Sequence, residues 1–568
     1  MISIRRAMRS ACPGRWILCG LILIEMCAQP RALEANWRTL SSIATREDRP
    51  QPPQEAVIFA DQQAGNDMGA KIAAANAALG SARGEIRVTR PGDISETITL
   101  WQNHDLVCAG DPVTLTLSTS SAQIIQQSDT RVRGCIFSSS ETTRPWDGAE
   151  IVSQGTSNVE SDDVTFIGGG DHIEYTHVSN FRIKNTRHIS ITATGAAPIL
   201  IESSTHGQII SPRIEGYTVP AGHSGIRLMG IDRSSFVDVT DPVIKDVDAS
   251  TVPGCGGVTF TASSHSTLRG GIISGLTNCD GVLTESTGTA ASSDIDISGT
   301  ASIGNNAADG LGKNANNGEG FDIFNSKRVR LSQVTANDDG KSPNNRQPGI
   351  EVSNSSEISI TNSISSDNGV DGIKIDGSPG VTISESHTNR NGGAGILVMP
   401  ALGRVSVRKR SPIVDWAPGA ANITFSAVWP VHTKIVIDGA VYTIASFQST
   451  TRLTLTSNFS GRSGSYAYNV DSYAEITDSE SNNNGQLSAG LPSDRNGGQR
   501  EGIYFAGGFS GAITGRVTHL RATDTQKRKT QCYGIRVENH ARIIANENAV
   551  AGNMAGGIRD SPGRSKIR

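Results

Sequence analysis

The chain has 568 residues, 62 of them Gly, with 5% aromatic and 19% charged residues. That balance excludes a helical bundle and a disordered polymer, and it suits a turn-rich β solenoid. A formal charge of −4 excludes broad electrostatic attraction to nucleic acid or an anionic membrane, so an acidic polymer would need a local basic site.

Arg5, Arg6, Arg9 and Arg15 precede the apolar run from Trp16 to Met26, which has the layout of a secretory signal and is short for a membrane span. Residues 1–35 are expected to be that signal, with cleavage after Ala28 or Ala35 and export to the periplasm or beyond. No stable membrane insertion is expected. The Pro- and charge-rich residues 36–54 read as a linker.

From Asp67 to Leu79 the sequence predicts a helix, with Asp67 as N-cap and Met68, Ile72, Ala75 and Leu79 on one face. Strand-like segments follow at 84–88, 98–100 and 106–110, separated by Arg90-Pro91-Gly92. Cys108 and Cys135 are 27 residues apart and Cys255 and Cys279 are 24 apart. Each pair is expected to bridge neighbouring coils, leaving Cys532 free. No Cys-x-x-Cys or His cluster accompanies them, so no metal site is expected.

A Gly phrase appears at Gly225-Ile226-Arg227-Leu228, Gly257-Val258-Thr259-Phe260 and Gly281-Val282-Leu283-Thr284. It becomes regular at Gly320-Phe321-Asp322-Ile323, Gly349-Ile350-Glu351-Val352, Gly372-Ile373-Lys374-Ile375 and Gly395-Ile396-Leu397-Val398, whose last two steps are 23 residues. Apolar and polar residues alternate within it, as in strands, and a period of this length marks a solenoid. Each unit therefore reads as one coil of a parallel β-helix. Coils stack about 4.8 Å apart, so equivalent positions form columns. Asn306, Asn368, Asn391 and Asn553 each stand four residues before a phrase and read as a turn column.

After Val398 the rhythm stops. Ile423-Thr424-Phe425, Lys434 to Gly439, Tyr442 to Ala445 and Leu453-Thr454-Leu455, with Asp438-Gly439 as a hairpin signal, predict a small β module at 404–470. The phrase returns at Gly502-Ile503-Tyr504-Phe505, Gly534-Ile535-Arg536-Val537 and Gly557-Ile558, ahead of a basic tail. The domains are thus a cap and β-helix at 55–403, the module at 404–470, and further coils with the tail at 471–568.

The order of helix, strand, Pro-Gly turn and strands, continued by the Gly phrases to about Ile558, resembles the pectate-lyase-like parallel β-helix proteins. The resemblance implies an all-β, single-stranded right-handed parallel β-helix with an N-terminal capping helix. It also implies a polysaccharide or cell-surface glycan as partner. The module resembles compact modules of bacterial and phage β-helix proteins.

The outward column of the phrase reads Asp322, Glu351, Lys374, Leu397, Tyr504, Arg536 and Arg559. The column just before the Gly reads Glu319, Pro348, Asp371, Ala394, Glu501 and Tyr533. Glu319, Asp322, Glu351, Asp371 and Asp376 thus place five carboxylates around one lysine, Lys374, and stacked like charges perturb pKa values and call for a cation or ligand. Asp322, Glu351, Asp371 and Lys374 are the catalytic candidates. Glu319, Asp376, Tyr504 and Arg536 are the substrate-binding candidates.

Three chemistries follow from the resemblance. In elimination a calcium ion held by carboxylates acidifies the proton beside a uronate carboxyl, and Lys374 is the base; calcium is called for on that reading, with Asp322, Glu351 and Asp371 as ligands. In hydrolysis two carboxyls flank the glycosidic bond. In uronate epimerisation a proton leaves one sugar face and returns to the other. The family signatures are mostly missing: Arg182-Ile183-Lys184 precedes Asp338-Asp339, the wrong order for a polygalacturonase. Gly320-Phe321-Asp322 is followed by Ile323, Phe324 and Asn325 where a mannuronan epimerase needs Pro, His and Asp. The sequence therefore predicts a secreted carbohydrate-active protein of lyase or glycoside hydrolase type. The alternative is a noncatalytic, phage-derived or surface adhesion protein that binds glycan with Tyr504, Trp429 and Tyr442 as ring platforms.

Overall fold

The computed structural model describes residues 56–110, 112–139, 149–191, 197–219, 226–250, 254–305, 318–339, 347–418, 425–486, 500–507, 513–538, 541–560 and 566–567. The expected export signal, linker and Asn306 lie outside them. Successive coils contribute strands to three parallel sheets of 17, 15 and 15 strands, here called sheets I, II and III. The Gly phrases lie in sheet III and are in register from coil to coil from Gly257 upward, but the earlier phrase is out of step, because Ile226 pairs with Cys255 and it is Met229 that meets Val258. Phe321, Ile350, Ile373, Ile396, Ile503 and Ile535 form one fully buried column there, as the β-branched alternation predicts.

Polar ladders hold the turns. At one corner Asn368 N–H donates to Asn391 Oδ1 at 3.0 Å, Asn391 N–H to Asn484 Oδ1 at 3.2 Å and Asn484 N–H to Gln531 Oε1 at 3.1 Å. The ladder continues downward through Asp339 and Asn305, so Asn305 fills the place expected of its neighbour. A Cβ on Gly349 would lie 2.2 Å from Asn368 Nδ2, which is why the phrase begins with Gly. At another corner a serine ladder runs through Ser204, Ser234, Ser263 and Ser292, and again through Ser326, Ser355, Ser378 and Ser472, each backbone N–H donating to the next hydroxyl.

The helix Met68–Leu79 covers the first coil with Met68, Ile72, Ala75 and Leu79 buried, and Asp67 accepts from Ala70 N–H at 2.7 Å. Cys108–Cys135 and Cys255–Cys279 are disulfides with Cα separations of 5.0 and 4.3 Å, and Cys532 is free. The two bridges mark an extracytoplasmic protein.

The inserted module is a closed six-stranded antiparallel barrel from Ala401–Val407 to Gly464–Val470, with Asp438 and Gly439 in left-handed turn conformation. Trp429 and Tyr442 belong to its buried core, so neither is an open platform for a sugar. The barrel docks on the coils through Ser426 Oγ to Asn354 O at 2.7 Å, Ser356 Oγ to Val428 O at 2.6 Å and Trp429 Nε1 to Gly377 O at 2.9 Å.

Its insertion point is an ordinary turn. Met399 aligns with Asp376 and Ala474 with Val381. The lower coil spans that corner with four residues, Gly377 to Gly380; the upper coil has Pro400, Asp471, Ser472 and Tyr473, also four, with the barrel between the first two. Ala401 and Val470 are direct cross-strand partners. Excision of 401–470 is therefore expected to give a soluble β-helix with unchanged strand signature by circular dichroism; aggregation of the variant would contradict this reading of the turn. Asn391→Ala should destabilise by about 1–3 kcal/mol, because ladder amides lose their acceptor inside the fold; denaturant melts check it.

Candidate functional site

The register of sheet III brings Asp322, Glu351 and Lys374 into one outward column on three successive coils. Lys374 Nζ lies 2.8 Å from Glu351 Oε1, and Ser353 Oγ donates to the same oxygen at 2.7 Å. These side chains are half-buried, and the cluster they form with the acids around them is here called the recess: Lys374 is 25% and Glu351 13% accessible, so charge there is poorly hydrated. Burial alone would lower the Lys374 ammonium pKa, but Glu351, Asp376 and Glu319 outweigh it and raise it. Lys374 is thus held as a cation, which fits the partner of a carboxylate and not a base awaiting a proton.

Around this pair stand acids that favour their protonated forms. Burial, with Asp280 and Glu351 nearby, lifts Asp322 well above the usual carboxylate range against the opposing pull of Lys374, and its Oδ1 is buried without a hydrogen-bond partner. Burial pushes Asp376 up to about 7, with Lys374 opposing. Its Oδ1 is likewise without a partner. Glu319 is raised well above its ordinary value by burial and by Asp280, with which it shares a hydrogen bond between carboxyl groups; burial brings Asp280 itself to about 6.

Asp280 lies one coil below Glu319 in the column preceding the Gly, and it was missed in the sequence although Cys279-Asp280-Gly281 carries the phrase. Extending the column downward by one coil finds it. That column also explains why Glu319 is different. Asp280 Oδ1 accepts from Glu319 N–H at 3.3 Å, and Asp371 Oδ1 accepts from Ala394 N–H at 2.7 Å, each acid capping the amide one coil above. Above Glu319 stands Pro348, which has no N–H to offer. Glu319 is therefore released from the capping role, whereas Asp371 is turned to the backbone of the next coil. Below the column, Arg227 bridges Asp232 and Glu285, with Nη2 3.1 Å from Glu285 Oε1.

Tyr504 and Arg536 continue the outward column above Leu397. They form a second group: Tyr504 is buried against Ala394 and Leu397, its hydroxyl donates to Glu538, and Arg536 lies over its ring at 5.0 Å while pairing with Glu501 at 2.8 Å. Arg536 is thus already committed to acids of its own coils.

Calcium does not fit these residues. The Lys374 ammonium occupies the cation position beside Glu351, Asp371 serves a backbone amide, and among the described residues no three His, Cys, Asp or Glu are gathered as a metal ion needs.

The raised acids have a consequence for stability. A carboxyl whose folded pKa lies above its unfolded value binds an extra proton in the fold between the two values, so its contribution is present at low pH and is lost as pH rises. For Asp376 the window runs from about pH 4 to about 7. Asp376→Asn should match wild type near the lower end and exceed it in melting temperature above the upper end. Identical pH profiles for the two proteins would contradict the raised value.

The family profile "Right handed beta helix region" matches residues 298–409. No curated protein matches the chain. Solved structures similar to it include tailspike protein 3 of bacteriophage CBA120, at 9% identity and TM-score 0.35, covering 90% of this chain and 61% of that one. The A-module of a mannuronan C-5 epimerase of Azotobacter vinelandii is similar at 12% identity and TM-score 0.33, covering 90% and 100%. The surface protein and adhesin PfbA of Streptococcus pneumoniae is similar at 12% identity and TM-score 0.35, covering 61% and 100%. With the sheet topology above, the profile match makes the chain a right-handed parallel β-helix protein.

Proposed function

We propose that this is an exported glycan-processing protein whose recess hydrolyses glycosidic bonds of an uncharged polysaccharide, with Asp322 as proton donor and Glu351 as its carboxylate partner. The observation that carries the reading is the buried Asp322, whose Oδ1 has no partner and whose carboxyl pKa burial raises, one strand away from the ion-paired Glu351, a difference of environment of the kind that separates acid and nucleophile roles. Identical coils offer a repeating surface to a repeating polymer. The recess gathers Asp232, Asp280, Glu285, Glu319, Asp322, Glu351 and Asp376 against Lys374 and Arg227, and this acidic excess disfavours a uronate. The cationic state of Lys374 likewise disfavours it as the base of an elimination.

In the proposed reaction Asp322 gives its proton to the glycosidic oxygen, the bond from the anomeric carbon to that oxygen breaks, and Glu351 attacks the anomeric carbon. Water then cleaves the glycosyl ester, returning a proton to Asp322. Asp322 and Glu351 are direct neighbours on adjacent strands, a placement that suits the close carboxyl pair of a retaining enzyme more than the wider pair that admits a water between them. Retention of anomeric configuration is expected.

The test is incubation of purified protein with neutral and uronic-acid polysaccharides, following reducing ends and ultraviolet absorbance. Neutral glycan should be cut with no unsaturated product, and Asp322→Asn and Glu351→Gln should each lower kcat by about 10²–10⁴ with folding intact. Unsaturated ends from a uronate would overturn hydrolysis in favour of elimination. A wild-type protein that binds glycan and leaves every polymer intact would establish adhesion instead.

A further inference from the structure

The chain is acidic as a whole, yet residues 401–470 carry seven Lys and Arg against two Asp. Five of these cations, Arg404, Arg408, Lys409, Arg410 and Arg462, are exposed. Among the described residues none of the five has an ion-pair partner, whereas Arg452 is tied to Asp415 at 2.6 Å. We propose that this barrel surface, remote in function from the carboxyl recess, binds an anionic polysaccharide.

Strand alternation builds the surface. On Ala401–Val407 the side chains of Val405 and Val407 enter the barrel core, which sends Arg404 and Ser406 outward. Across the sheet Arg404 faces Ala417 on one side and Ala467 on the other, and Ser406 faces Asp415 and Ser465. The arginine therefore rises from a floor of small side chains that leaves its guanidinium open to a planar anion, the pairing Arg favours for carboxylates and sulfates.

The cationic turn is fixed by backbone bonds. Arg410 N–H donates to Phe459 O at 2.9 Å and Lys409 N–H to Ser463 Oγ at 2.9 Å, while Tyr466 Oη donates to Arg462 O at 2.9 Å. These bonds tie the Arg408–Arg410 turn to the segment that carries Arg462, so the backbones of four of the five cations are fixed before any ligand arrives, and Arg404 stands on the strand Ala401–Val407 that leads into the turn. Such preorganisation lowers the cost of binding. The two disulfides mark an oxidising, extracytoplasmic setting, which favours an acidic polysaccharide over intracellular nucleic acid as the polyanion.

The test uses the full chain and polygalacturonate as probe, with dextran as the uncharged control, and reads the dissociation constant at low and high salt. Wild type should bind polygalacturonate and weaken as salt rises, because exposed charges are screened. Replacing Arg404, Arg408, Lys409 and Arg410 together by Ser should weaken binding at least about tenfold. Arg408→Ser and Arg462→Ser singly should each show part of the loss, in proteins whose melting temperature is unchanged. Equal binding by the Ser variants would overturn the proposal, as would tighter binding of duplex DNA or of phosphatidylglycerol vesicles than of polygalacturonate. The readout is binding alone, so its outcome is independent of whether the recess hydrolyses anything.

Discussion

Everything in the coils depends on backbone pairing between successive turns of one chain, which fixes equivalent side chains at the interstrand spacing. Inside, that constraint is favourable: Ile350, Ile373 and Ile396 stack as β-branched neighbours with no exposure. At the corners it is equally favourable, because a side-chain amide or hydroxyl at one level meets the backbone N–H of the level below. Outside, the same spacing is costly for charge. Asp322, Glu351 and Lys374 cannot separate without breaking the register, so the recess settles its charge through the Glu351–Lys374 ion pair, while burial raises the carboxyls of Asp322, Glu319 and Asp376 toward their protonated forms.

The repeat itself tolerates this. Where Asp280 and Asp371 precede the phrase, an amide of the coil above satisfies each, that of Glu319 and that of Ala394. A proline at 348 withdraws that donor, and the acid below it pairs with another carboxyl instead. A single change in the turn thus converts a structural carboxylate into a proton-sharing one. The barrel shows the same economy, since its entry and exit strands pair at Ala401 and Val470 and leave the host turn at its usual length.

Much of this was legible in the sequence. The Gly phrase contains the register of sheet III from Gly257 upward, because only one alternation buries Ile373 and Ile375 together, and the cysteine spacings of 27 and 24 residues are each about one coil. The columns of outward acids follow from the same arithmetic. What could not be read was which of those acids would face an amide and which would not, since that depends on corner geometry between coils. The serine ladder was hidden because its members recur at irregular intervals when loops intervene. Trp429 and Tyr442 looked like exposed rings because barrel closure, which buries them, is a property of six strands together and not of any one. The roles of Lys374 also turned on three-dimensional charge balance: a lysine among acids is a base only if something keeps it deprotonated, and its neighbours do the opposite.

The central claim is that the recess carries a protonated carboxyl at Asp322 beside the Glu351–Lys374 pair at neutral pH. Isotope-edited infrared spectroscopy of carboxyl-labelled aspartate reads that proton directly, as a carbonyl band that ionised carboxylates lack. The account predicts such a band in wild type at neutral pH, diminished in Asp322→Asn and persisting in Asp371→Asn. A spectrum in which the Asp322→Asn substitution removes only carboxylate signal would contradict it.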